Sequence, residues 1–139
     1  ESEAAMIGRL NHVGIATPDL ERAVAIYRAC GLEVSKLIVP EGAGVKVLFV
    51  KLPNTELEFT EPLDASSPLT NFLAKRPDGG LHHVCYEVDD IHASTEFLVR
   101  QGASVIGDGS TRIGAHGKPV LFLKPKAEFS GALIELQQA

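Results

Sequence analysis

No tryptophan occurs in this 139-residue chain, and its aromatics are few: six Phe and two Tyr. A core must therefore be assembled mainly from Val, Leu, Ile and Ala, within a composition that is 45% hydrophobic. Cysteine is equally scarce. Cys30 and Cys85 are the two present, too few for a disulfide framework, and both read as reduced structural thiols. No apolar run approaches the ~20 residues of a membrane span. No secretory or transit segment is legible at the start, where residues 1–8 read as a frayed leader. Cations are outnumbered, 13 Lys and Arg against 18 Asp and Glu, for a net charge of −5. A nucleic-acid-binding surface needs a basic face, so that class is excluded. An anionic small substrate is not, because the field at a site can oppose the global charge.

What the chain does have is an internal repeat. LNHVGIATPDLERAVAIYRACGLEV, from Leu10, aligns without a gap on LHHVCYEVDDIHASTEFLVRQGASV, from Leu81. The offset of 71 carries His12 onto His83, Val13 onto Val84, Asp19 onto Asp90 and Gly31 onto Gly102. One histidine in each copy, early on a strand, points to a symmetric site that uses both. Ligating a metal is the obvious use of two such imidazoles.

Each copy reads βαβββ, and the fold class is α+β. In the first, residues 10–16 form an apolar strand, Asp19 caps a helix and Gly31 closes it. Strands follow at 33–39, 45–52 and 56–61, the last from strict alternation. Residues 62–77 connect the halves, with a short helix at 68–75. In the second copy, strand 81–88 leads to a helix capped at Asp89-Asp90 and closed by Gly102. Strands 104–106, 119–123 and 132–137 follow, with residues 107–117 as a long loop.

Alternation also assigns faces. His12 shares a strand face with Gly14 and Ala16, while Val13 and Ile15 suit packing under a helix. His83 shares its face with Cys85 and Glu87. The last strands add Glu58 and Glu135, which pair at an offset of 77. Glu135 interrupts an apolar run, and a bare buried carboxylate is costly enough to demand a cation or a hydrogen-bond network. A lone strand histidine usually packs or faces solvent. Two repeat-equivalent histidines with two repeat-equivalent glutamates reverse that expectation. Two neutral imidazoles and two carboxylates suit a divalent ion, and Co²⁺, Mn²⁺, Ni²⁺, Zn²⁺ and Fe²⁺ all accept such mixed ligation. Glu56, Glu61 and His92 read as solvated, and His82 as packed or solvent-facing.

These residues resemble the vicinal-oxygen-chelate superfamily of glyoxalase I, extradiol dioxygenases and fosfomycin-resistance proteins, over nearly the whole chain. Within it, GGLHHVCYEVDDI and IGAHGKPVLFLKPK are similar to the methylmalonyl-CoA epimerase family, as are LNHVGIATPDLERAVAIY and GALIELQQA. The resemblance implies a single domain over residues 1–139, with modules at about 8–62 and 80–139. The two modules would form one curved eight-stranded mixed sheet with its helices on the convex face, in a protein that usually dimerises.

It also implies metal ligands at His12, Glu58, His83 and Glu135. Cobalt is the first expectation, with manganese, nickel, zinc or magnesium as alternatives. The implied reaction is epimerisation of (2R)- and (2S)-methylmalonyl-CoA, an acyl-CoA thioester of propionyl-CoA metabolism. The α-proton would be removed through a metal-stabilised enediolate. Some bacterial relatives carry a glutamate base where this chain has Val47, which cannot move a proton. Glu135 and His116 are then the candidate acid/base pair. Lys118, Lys124 and Lys126 could meet CoA phosphates, although solvated lysines are the simpler reading. The compartment implied is the cytoplasm for a bacterial protein or the mitochondrial matrix for a eukaryotic one. A glyoxalase I-like isomerase of glutathione hemithioacetals and a metal-free sequestering protein are the competing readings on this fold.

Overall fold

A computed structural model describes residues 6–126 and 131–139 of the chain. Its strands are β1 (Leu10–Ala16), β2 (Val45–Lys51), β3 (Glu56–Pro62), β4 (Gly80–Val88), β5 (Ser104–Val105), β6 (Arg112–Ile113), β7 (Pro119–Lys124) and β8 (Leu133–Gln138). Its helices are α1 (Leu20–Ala29), α2 (Thr70–Lys75) and α3 (Ile91–Arg100). The strands form one mixed eight-stranded sheet in the order β2-β3-β1-β4-β8-β7-β5, with β6 paired to β7. Among the described residues, no helix is long and apolar enough to cross a membrane. Both cysteines are free thiols, Cys30 exposed and Cys85 buried.

Two compact units divide the chain. One comprises His12–His82. In it β1 runs parallel to β3, and β2 runs antiparallel to β3. Asp19 caps α1, its Oδ1 accepting from the Arg22 N–H at 3.1 Å, and Gly31 follows the helix at φ 82°. The apolar residues of α1 recur at helical spacing, so Leu20 and Val24 both face the sheet. They pack on Leu48, Val50 and Phe59, each buried side chain contributing ~1.5–3 kcal/mol.

The other unit comprises the described residues up to Asn11 together with those from His83 onward. Here β4 runs parallel to β8, and β7 pairs antiparallel with β8, β5 and β6. Asp90 caps α3 through the Ala93 N–H at 3.1 Å. Ile91 packs with Val88, Leu121, Leu123 and Leu136.

A shared device ties each helix to the last strand of its unit. Glu61 Oε1 accepts from the Leu20 N–H at 2.8 Å, and Gln138 Oε1 accepts from the Ile91 N–H at 3.0 Å. Glu61 and Gln138 stand at the offset of 77 that also relates Glu58 to Glu135. Glu61 is therefore not the solvated residue expected: it closes a free helix N–H and pairs with Lys46 Nζ at 2.7 Å. Glu61→Ala is expected to lower stability by about 1 kcal/mol, the usual value of a helix cap. A denaturant midpoint equal to the wild type's would remove Glu61 from that role.

Three expectations need correction. Residues 33–39 form no continuous strand. Only the Val34↔Val50 and Ile38↔Val47 bridges hold them, because the Ser35 hydroxyl takes the Phe49 N–H at 2.9 Å in place of a ladder carbonyl. The loop at 107–117 contains β6, a two-residue strand against β7. The leader reading covers residues 1–5, which lie outside the described residues, and fails for 6–8. The Met6 carbonyl accepts from Ser94 Oγ at 2.5 Å, and the Gly8 N–H donates to the Glu87 carbonyl at 2.8 Å.

Candidate metal centre

In the His12–His82 unit, β1 turns His12 away from α1, and its side chain is almost wholly buried at 1% exposure. Its ring meets the edge of Phe49 at 5.8 Å between centroids and 76° between planes. Gly14 lies opposite Glu58 in the parallel register, so no side chain crowds that carboxylate from β1. Glu58 Oε1 stands 3.5 Å from His12 Nε2.

The other unit repeats this arrangement with its own residues. His83 is 3% exposed and meets Phe122 edge-on at 5.2 Å and 82°. Cys85 takes the place of Gly14 opposite Glu135. Glu135 Oε1 stands 3.2 Å from His83 Nε2. The partners across the antiparallel ladders correspond too: Phe49↔Glu58 and Val47↔Thr60 in one unit, Phe122↔Glu135 and Val120↔Gln137 in the other.

The phenylalanines were missed in the sequence, although a signal was present. Val47-Leu48-Phe49-Val50 and Val120-Leu121-Phe122-Leu123 are a second echo of the repeat. Their central leucines enter the two helix-packed cores, so each Phe must point to the histidine side. These edges fix the imidazole planes, as a ligand site requires.

The donor chemistry fits a divalent ion. Glu58 and Glu135 are each only 6% exposed, and a buried carboxylate needs compensating positive charge. A charge-assisted N–H···O bond to histidine would be drawn in to about 2.7–2.9 Å. The separations of 3.5 and 3.2 Å are longer. Two donors each about 2.1 Å from one ion at an angle of 90–110° stand roughly 3.0–3.4 Å apart. The His83/Glu135 pair therefore has the spacing of two ligands sharing an ion, the His12/Glu58 pair stands just beyond it, and both are longer than a charge-assisted hydrogen bond.

The remaining candidates stand outside the two buried His/Glu pairs. His116 is exposed, in the turn between β6 and β7, where the Gly117 N–H closes onto the Gly114 carbonyl at 3.0 Å. His82 packs edge-on against Phe72 at 5.1 Å, which bears out its packed reading. His92, Lys118, Lys124 and Lys126 are exposed, and Glu56 is half-buried. Val47, at 1% exposure, is buried beside Phe49. One polar residue had not been singled out: Gln137, 6% exposed, two residues beyond Glu135 on the same face of β8.

Residues 11–122 match the family model of the glyoxalase/bleomycin resistance protein/dioxygenase superfamily. The chain is 55% identical to the ethylmalonyl-CoA/methylmalonyl-CoA epimerase of Cereibacter sphaeroides, over 96% of this chain and 99% of that protein. It is 48% identical to the mitochondrial methylmalonyl-CoA epimerase of Mus musculus, over 96% of this chain and 74% of that one. Its fold is similar to that of a Streptomyces coelicolor methylmalonyl-CoA epimerase variant in complex with 2-nitronate-propionyl-CoA. The TM-score there is 0.83 at 32% identity, over 96% of this chain and 95% of the other. With paired His/Glu half-sites on a sheet of this topology, the chain belongs to the glyoxalase/bleomycin resistance protein/dioxygenase superfamily and, within it, is an enzyme of the methylmalonyl-CoA epimerase family.

Proposed function

We propose that the chain interconverts (2R)- and (2S)-methylmalonyl-CoA, with His12, Glu58, His83 and Glu135 holding one divalent ion between them. The observation that carries this reading is the buried His/Glu pair repeated at equivalent positions in each unit. The four residues are of the types and burial that hold a metal ion. The named relatives supply the acyl-CoA substrate class, and one related structure holds a propionyl-CoA analogue. When bound, the ion supplies positive charge that makes the proton between thioester and carboxylate easier to remove. Mixed nitrogen and oxygen donors suit cobalt first, with manganese, nickel, zinc or magnesium as alternatives.

The chain's own groups then move the proton. Glu135 has two carboxylate oxygens, so one can hold the ion while the other takes the α-proton. The carbon's electron pair shifts towards the thioester carbonyl, leaving a planar centre that can be reprotonated from either face. His116 returns a proton from the face opposite Glu135. Val47 leaves its own position apolar and inert. A second copy of the chain completes the working enzyme as a homodimer.

Metal-loaded protein incubated with (2R)-methylmalonyl-CoA in D₂O should produce the 2S epimer carrying deuterium at the α-carbon. No exchange, together with turnover of a glutathione hemithioacetal, would replace this reading with a glyoxalase-type one. His116→Ala is expected to slow inversion about 100-fold, the scale of a lost general acid. Exchange with retention, through Glu135, should persist in that variant. An unchanged inversion rate would take His116 out of the mechanism.

A further inference from the structure

Gln137 is a polar residue buried to 6% exposure on β8. Polar side chains buried on a strand are few, so such a group needs an explanation. Leu136 and Ile134 pack on the α3 side of β8, so Gln137 projects from the opposite face, the one that carries Glu135.

A cation lies along the same rung of the sheet. Val120 is opposite Gln137 on β7, and Arg112 is opposite Val120 on β6. The Arg112 guanidinium stands over the Phe122 ring at 5.9 Å, the same ring that braces His83. Glu87 lies beside Gln137 in the β4–β8 register. Its carboxylate is engaged by Asn11 Nδ2 at 2.9 Å and Arg9 at 3.7 Å.

The repeat shows that this polarity is not required by the fold. The corresponding rung of the other unit is Ile38, Val47 and Thr60. There Thr60 Oγ1 donates to the Ile15 carbonyl at 3.5 Å. Two half-sites with matching His, Phe and Glu thus differ one rung further on: one offers only a threonine hydroxyl turned to the backbone, the other an amide and a guanidinium. A symmetric ion site does not need that difference. An asymmetric substrate with a single free carboxylate does.

We propose that Gln137 and Arg112 recognise the free carboxylate of the acyl substrate and so set which way it lies across the site. This rests on the acyl-CoA reading above. Gln137 donates from its amide nitrogen to one carboxylate oxygen, and Arg112 supplies the opposing charge from the edge of the rung. Both are specificity-determining residues, and neither transfers the proton.

The test compares two ligands on metal-loaded protein: methylmalonyl-CoA, as its equilibrated epimers, and propionyl-CoA, which lacks the carboxylate. Gln137→Met and Arg112→Met should each weaken methylmalonyl-CoA binding about 10-fold or more, the scale of a hydrogen bond to a charged group. Propionyl-CoA affinity should stay within about 2-fold, and metal content should be unchanged. Gln137→Met should also leave the melting temperature within about 2 °C of wild type, because the swap roughly conserves volume. Equal weakening of both ligands would mean that these groups read the CoA phosphates, and would overturn the assignment. Unchanged affinity for both would overturn it as well, as would a joint fall in melting temperature and metal content. Absence of α-proton exchange in the wild-type protein would remove the acyl-CoA reading and this role with it. Wild-type exchange beside unaltered variants would remove this role alone.

Discussion

His83→Ala protein is expected to lose its bound divalent ion and to retain about one thousandth of wild-type epimerase activity. The magnitude follows from the charge that a ligated ion places on a reacting carbonyl, several kcal/mol of transition-state stabilisation, at 1.36 kcal/mol per factor of ten. His83 is a severe case because its position is doubly fixed. Phe122 braces the ring edge, and Glu135 Oε1 stands 3.2 Å from Nε2. Removing the imidazole leaves the Glu135 carboxylate buried without its nitrogen neighbour, at the cost of an uncompensated charge. Metal analysis, turnover and a thermal melt on one preparation separate the effects. Low metal and low turnover in a folded protein is the expected result. Full metal occupancy with wild-type turnover would exclude His83 from the site.

Gly79→Ala should destabilise the protein by about 3 kcal/mol or more without touching a candidate ligand. Gly79 sits at φ +85°, where a side chain costs roughly 1–2 kcal/mol. A β-carbon there would stand 2.2 Å from the Ala16 carbonyl oxygen, with Thr17 Cα also at 3.2 Å. These are backbone atoms at the end of β1, held by the Thr17 N–H bond to the Thr60 carbonyl at 2.8 Å, so they cannot swing aside. The strand that begins one residue later, β4, carries His83. A fall of about 10 °C or more in the melting temperature is expected, at a few degrees per kcal/mol for a chain of this size. A melting temperature within about 2 °C of wild type would show that the close approach is not part of the folded protein.

Much of this is legible in the sequence itself. The two helices announced themselves through Asp19 and Asp90 at the start and Gly31 and Gly102 at the end, because capping chemistry is local. The four candidate ligands were legible because the repeat converts one ambiguous histidine into an equivalent pair, and because a carboxylate in Leu-Ile-Glu-Leu has no cheap apolar explanation. What escaped depends on partners distant in sequence. Residues 33–39 have strand composition, but the Ser35 hydroxyl competes for the Phe49 N–H. Arg112 and Ile113 form a strand only because β7 offers an edge. Glu61 reads as a surface acid until the Leu20 N–H arrives 41 residues away in sequence. Gln137 was passed over because glutamine is common on exposed strand faces, and only the packing around it shows that it is buried.

The central claim is that two repeat-equivalent His/Glu pairs hold one ion on which α-proton exchange depends. The most direct test is to strip the protein with a chelator and follow deuterium incorporation into methylmalonyl-CoA in D₂O while a divalent metal is titrated back. The account predicts no exchange in the stripped, folded protein and a rise that saturates at one ion per chain. Exchange at the wild-type rate in protein holding almost no metal would contradict it.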